Sequence, residues 1–257
     1  MPGAYLATNL ITSAATITPS TEDTAYPRAN LYDKQAARVF KGTSLTSLTI
    51  LIDFEASVQA DTISLINHNL TASAVLSLKA GSGSPPSTVV ATPVYRQHDL
   101  WKAFTAVSAR YWLLTITDSN SVAIQIGQLL IGNRTVFPRA RRIGESYRPA
   151  QKRNTISGET YAGVLWNYHL FERREFNPSF RVSSAAELAV LTALDASVFG
   201  NVYPFVYIPD ASGVDVYYVR KEQDYQPQEI GRLSGLELAH DYQMTLVEES
   251  RGLEIKL

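Results

Sequence analysis

The residues best suited to chemistry are Asn67, His68 and Asn69, which directly follow the apolar run 63–66. Two amides flanking an imidazole could ligate a metal, move a proton or hydrogen-bond the hydroxyls of a sugar. They could equally end a strand, because Asn tolerates left-handed backbone and bonds nearby main chain. The sequence favours this second role, a triplet that fixes loops. The rival is a glycan contact, for which Tyr95, His98 and Trp101 are the nearest planar partners. The other histidines, His169 and His240, stand far away, and no pair has the spacing of a zinc site. Asp210 and Asp215 bracket a stretch that faintly resembles a calcium loop but lacks its downstream bidentate acid, so it reads as a hairpin turn. Phosphate loop, nucleophile elbow and dinucleotide fingerprint are all missing. The sequence therefore predicts a non-enzyme, with no catalytic residue, no cofactor and no metal ligand.

Composition narrows the classes further. The 257 residues contain no cysteine, which excludes disulfides, thiolate zinc sites and a cysteine nucleophile. Hydrophobic residues make up 45% and charged residues 18%, a globular balance. A net charge of −1 supplies no field for DNA or an anionic membrane. Neither sequence-specific nucleic-acid binding nor membrane insertion is expected, and the N-terminus does not read as a signal peptide. The strongest charge cluster lies in residues 134–153, where seven Lys or Arg face one acid, Glu145. Arg139, Arg141, Arg142, Arg148, Lys152 and Arg153 are candidates for a subunit interface that meets acidic neighbours. The fourteen tyrosines fit a protein with many half-buried contact surfaces.

The elements that would hold these residues are mostly strands. Alternation and β-branched content predict strands over 47–54, 61–67, 74–80, 111–117 and 122–131, with a loop at 81–87. Short strands at regular spacing with no long helix indicate a jelly-roll-like β-sandwich over 1–133. Residues 134–158, basic and carrying Pro138 and Pro149, read as a connector. Residues 159–257 read as a smaller α+β domain. In it, 163–176 is strand-like, and Ser184 with Glu187 forms a capping-box pattern ahead of an amphipathic helix that Gly200 would stop. Strands over 203–208 and 214–220 would form a hairpin, and 241–248 a last strand.

Several phrases carry a family resemblance. Ile52-Asp53-Phe54, Arg110-Tyr111-Trp112 and the Ile126-Gly127-Gln128-Leu129 phrase through Gly132 resemble those of a galactose-binding, discoidin-like β-sandwich. Pro27, Asn30, Leu31 and Asp33 are similar to the P-x-x-N-L-x-D opening of phage versions of that domain. Asn67-His68-Asn69-Leu70, together with Pro204-Phe205 leading to Ile208-Pro209-Asp210, resembles minor tail and baseplate proteins of long-tailed bacteriophages. The resemblance implies a structural virion protein of the tail tip, made in the host cytoplasm, which forms an oligomeric ring with itself and joins tail tube to tip proteins. It also implies an alternative, a carbohydrate-binding module that recognises a host surface glycan. The order of parts departs from the usual distal tail protein, because here the sandwich comes first.

Overall fold

The computed structural model describes residues 3–137, 150–182, 184–211, 213–222, 228–231 and 239–249. The first strands are β1 (Ala4–Leu6), β2 (Thr16–Pro19), β3 (Phe40–Lys41), β4 (Ser47–His68), β5 (Val75–Gly81), β6 (Thr88–Ala91), β7 (His98–Thr117), β8 (Gln125–Gly132) and β9 (Thr135–Val136). They are followed by β10 (Ala150–Glu159), β11 (Leu165–Phe176), β12 (Ser179–Val182), helix α1 (Ala185–Ser197), β13 (Phe205–Ile208), β14 (Tyr217–Lys221), β15 (Gln228–Gly231), β16 (Ala239–Gln243) and β17 (Leu246–Glu248). The chain is mainly β, as its alternation predicts. It divides into two compact units, one comprising Met1–Phe137 with Phe205–Tyr218, the other Pro138–Pro204 with Val219–Leu257.

The first unit is a sandwich made by two long bent strands. β4 and β7 pair along most of their length, from Ser47 opposite Thr117 to His68 opposite His98. Their register slips between Asp53 and Val58, where Glu55 has a φ of 62°. Strands that change layer at such a bulge turn one sheet over on itself. Before the bulge β4 pairs with β2, and after it with β8. The matching part of β7 pairs with β5, which pairs with β6. The two segments predicted at 47–54 and 61–67 are thus one strand folded in the middle.

Side chains from both layers meet in one core. Leu48, Ile50 and Ile52 come from the first half of β4, Ala60, Ile63 and Leu65 from the second, and Trp112, Leu114 and Ile116 from β7. The second half of β4 is buried on its other face as well. There Ile66 and Leu130 pack with Ala4 and Leu6 of β1 and Val206 and Ile208 of β13. β1 lies between β13 and β9 and is antiparallel to both. Burial on both faces explains the unbroken apolar run that precedes Asn67.

In the second unit β11 pairs with β10 and, through Glu175 and Phe176, with β17, which also pairs with β14. β16 pairs with β12 and β15. Helix α1 starts where the sequence places it, with the Ser184 hydroxyl accepting from Glu187 N–H at 3.2 Å. Leu191 and Leu194 are its buried face. Its stop is shifted by one residue. Phe199 takes the left-handed C′ position at φ 51°, and Gly200 N–H reaches back to Asp195 O. Lys221 on β14 is 3% exposed and paired with Asp195 of the helix.

Three sequence expectations change. Residues 150–158, read as connector, form most of strand β10. Residues 205–218, read as part of the second domain, return to the first unit because β13 supplies the partner of β1. The final strand is two, β16 and β17, separated at Met244 and Thr245.

Candidate functional site

Three of the phrases picked out in the sequence converge at the end of β4. Asn67 has a φ of 54°, a left-handed value that Asn accepts more readily than most residues. Its Nδ2 donates to Ala36 O at 2.7 Å, and its N–H donates to Asp99 Oδ1 at 2.8 Å. Opposite it, Gly127 has no room for a side chain, since a Cβ there would stand 2.9 Å from Asn67 Cβ and closer still to Ala36 O. The next residue, Gln128, is 2% exposed. Its Nε2 lies 2.9 Å from Asn30 O and 2.8 Å from Asp33 Oδ1, and its Oε1 accepts from Lys34 N–H at 3.1 Å. The Pro27–Asp33, Asn67–Leu70 and Ile126–Leu129 phrases are therefore parts of one buried hydrogen-bonded joint.

Asn69 extends the joint to the neighbouring loop. Its Nδ2 donates to Ala123 O at 2.8 Å, and its Oδ1 accepts from Gln125 N–H at 2.8 Å. His68 is 4% exposed, and its Nδ1 accepts from Leu70 N–H at 3.3 Å. A few residues on, the Asp118 carboxylate accepts from Thr71 N–H and Ser73 Oγ at 2.8 and 2.9 Å, and from the Thr71 hydroxyl. Burial alone would raise the Asp118 pKa, but the Thr71 hydroxyl and amide, the Ser119 amide and the Ser73 hydroxyl outweigh it and hold the pKa below its usual value.

The remaining pair of phrases meets at the bulge. Arg110 holds Asp53 through two bonds of 2.7 and 2.9 Å, and its guanidinium carbon lies 4.9 Å from the centroid of the Tyr111 ring. Hydrogen bonding from Arg110 depresses the Asp53 pKa, and Asp53 in turn raises that of Arg110. Trp112 is fully buried, its Nε1 donating to Ala109 O.

Five of the six candidate glycan residues come together. Asn67, His68 and Asn69 share the end of β4, His98 stands opposite His68, and the Tyr95 ring lies 6.2 Å from the His68 ring. Trp101 is elsewhere. It faces Ser64 across β4 and β7 and packs on the Ile66–Leu130 cluster, away from the sandwich core that Tyr95 packs against. Of the candidate interface residues, Arg139, Arg141, Arg142 and Arg148 lie outside the described residues. Lys152 and Arg153 take register positions on β10 opposite Arg173 and Glu172, and their side chains lie outside the described set. Among the described residues no group of three or more His, Asp or Glu side chains is placed to hold a metal ion, and no helix is long and apolar enough to cross a membrane.

A second surface was not singled out in the sequence. β10 and β11 form a two-stranded arm, closed by a turn in which Gly163 has a φ of 78° and Thr160 N–H donates to Val164 O. At about 3.3 Å per residue the arm is roughly 30 Å long. Ile156 pairs with Tyr168 and Gly158 with Trp166, so all four positions share one face. The indole lies over Gly158, where a Cβ would come within 2.5 Å of Cζ2. This face is exposed, at 49% for Ile156, 46% for Trp166 and 61% for Tyr168. The opposite face carries Thr155, Ser157 and Asn167. The alternation of residues 164–168 marks a strand, but nothing in it tells that neither face is covered.

No model of a known protein family matches this chain, and no curated protein does. Solved structures similar to it include a GH29 fucosidase of Ruminococcus gnavus in complex with fucose. That match has a TM-score of 0.45 and 15% identity, and covers 51% of this chain and 28% of the fucosidase. A chitosan-binding module from a Paenibacillus chitosanase/glucanase matches with a TM-score of 0.42 and 16% identity, over 48% of this chain and 98% of the module. A Clostridium perfringens module in complex with GalNAc-β-1,3-galactose matches at 0.42 and 8%, over 49% and 99%. At these scores the likenesses assign no function to this chain.

Proposed function

We propose that this protein is a non-catalytic structural component of a bacteriophage tail tip, which assembles with itself into a ring and joins tail tube to tip proteins. One observation carries the assembly part of this reading. The β10–β11 arm stands with two strands and an uncovered apolar face. An isolated two-stranded hairpin is marginal in water, and exposed apolar strands are liabilities that proteins otherwise blunt. A surface of this kind is built to be covered by another subunit. The tail-tip part rests on the resemblance of Asn67–Leu70 and Pro204–Asp210 to tail proteins. The phrases that carry the resemblance serve as joints of the fold, the use a scaffold protein makes of them. Light scattering of the full chain tests the assembly part, with a multimer expected. Gold labelling of virions tests the location, with label expected at the tail end. Labelled particles showing gold along the head alone would overturn it.

A second reading, a carbohydrate-binding module for a host surface glycan, is favoured by a different observation. Tyr95 and His98 stand beside His68 at one end of the sandwich, both partly exposed. Aromatic and planar polar groups side by side suit a sugar. A broad glycan array tests it. Binding that is lost in Tyr95→Ala and His98→Ala, with melting unchanged, would establish the module, and an array without signal would remove it.

A further inference from the structure

Every large apolar side chain that the second unit exposes among the described residues falls in one of two places. One is the arm, between Ile156 and Tyr168. The other lies just past helix α1, at Phe199 and Val202, which are 69% and 51% exposed. These patches are unlike in shape. The arm is a flat strand face, whereas Phe199 is a single projecting ring that meets Tyr203 edge-on at 5.2 Å.

Phe199 is also an expensive residue for its position. Helices that end in this way place Gly, or sometimes Asn, at C′, because a Cβ is strained in the left-handed region. Here the Phe sits at C′ with a φ of 51° and Gly200 follows it. Strain kept at an exposed aromatic ring has no use in the isolated unit, and such strain clusters where a surface works.

Two unlike apolar patches on one body are the requirement for a heterologous contact, in which one patch of each copy meets the other patch of the next. The area is adequate. Taking about 200 Å² for a fully exposed large side chain, the arm offers on the order of 700 Å² of apolar surface, close to the roughly 800 Å² that each partner contributes to a standard interface. A second copy supplies Phe199 as the kind of aromatic anchor that dominates such interfaces.

We infer that the arm of one copy seats on Phe199 and Val202 of the next, head to tail. This rests on the assembly reading above and names its contact. A head-to-tail contact of this kind closes a ring when its rotation permits, and cannot close a two-fold dimer.

The chain has no cysteine, so single thiols report the contact without background. Val164→Cys on the arm and Val202→Cys past the helix are made separately in the full chain, mixed, and treated with a short bismaleimide. The expected result is that neither variant cross-links alone, that the mixture gives a dimer, and that the double variant gives a ladder. Phe199→Ala is expected to raise the dissociation constant for self-association at least tenfold with no loss of melting temperature. Cross-linking of either single variant to itself would overturn the inference in favour of a two-fold contact. A multimer by light scattering with no cross-link in the mixture would overturn the contact and leave the assembly reading standing. A monomer at all concentrations would overturn both.

Discussion

Asn67 offers the sharpest test of whether the Asn-His-Asn triplet builds the fold or touches a ligand. Two terms set the cost of replacing it. The side chain donates to Ala36 O at 2.7 Å in a half-buried setting, a bond worth about 1 kcal/mol net. The backbone is left-handed, which costs a residue bearing an ordinary Cβ roughly 1–2 kcal/mol and glycine nothing. Asn67→Gly loses the first term only and is expected to cost about 1 kcal/mol. Asn67→Ala loses the bond and adds the strain, for about 2–3 kcal/mol. Urea unfolding of the full chain measures both, read as a shift in midpoint at constant slope. The three tryptophans are Trp101, Trp112 and Trp166, so a Trp166→Phe background leaves fluorescence that reports the first unit alone. A glycine variant no more stable than the alanine variant would refute the backbone argument. Two variants of near-native stability that lose binding to a glycan would show that the triplet is a sugar contact.

Other predictions follow from neighbouring geometry. Gly127→Ala forces a Cβ against Ala36 O and Asn67 Cβ, and is expected to cost about 2–3 kcal/mol of first-unit stability by the same unfolding assay. Because the Asp118 pKa is depressed, its contribution is fully present above the ordinary carboxylate value of 3.8 and is lost as pH falls through the lower folded value. Thr71→Val removes one of the donors responsible and should flatten the acid limb of the stability–pH curve between pH 4 and 2. In the second unit Asp195→Ala strands the buried Lys221 ammonium. The carboxylate side is 28% exposed, so the cost is expected near 2 kcal/mol and not the 3–5 kcal/mol of a fully buried pair. Lys221→Met should be milder, and the order of the two melting temperatures checks it.

What the sequence shows and what it hides follow from the range of the interactions involved. The helix start was legible because Ser184 and Glu187 cap it locally, and the strands near 47–54, 74–80 and 111–117 were legible because one face of each meets the core. The first half of β7 was not. Residues 102–108 run through Lys102, Thr105, Ala106 and Ser108, whose mixed exposure breaks the alternation near the bulge. Residues 150–158 read as connector from their charge, yet a strand paired only with β11 needs no apolar residues to form. Gly200 looked like the helix stop by residue preference, and only the backbone reveals that Phe199 occupies that conformation. At the triplet, the sequence favours a loop-fixing role, in keeping with the bonds of Asn67 and Asn69. Trp101 joined the candidate glycan set by proximity along the chain, and the register of β4 with β7 sends it to another cluster. The arm could not be read as exposed, because exposure depends on which other strands arrive beside it.

The return of residues 205–218 to the first unit has a consequence for how the protein is made. Ala4 of β1 pairs with both Val136 and Ile208, so β1 waits for a partner more than two hundred residues downstream. During synthesis at about 5–20 residues per second, the gap between residues 137 and 208 lasts roughly 4–14 seconds. For that interval the outer face of β4 and β8, with Ile66 and Leu130, lacks the Val206 and Ile208 that cover it in the finished protein. The nascent sandwich is sticky until the ribosome has passed residue 208. A fragment ending at residue 137 would hold that state permanently, which makes truncation there a source of aggregate and not of a free sandwich domain.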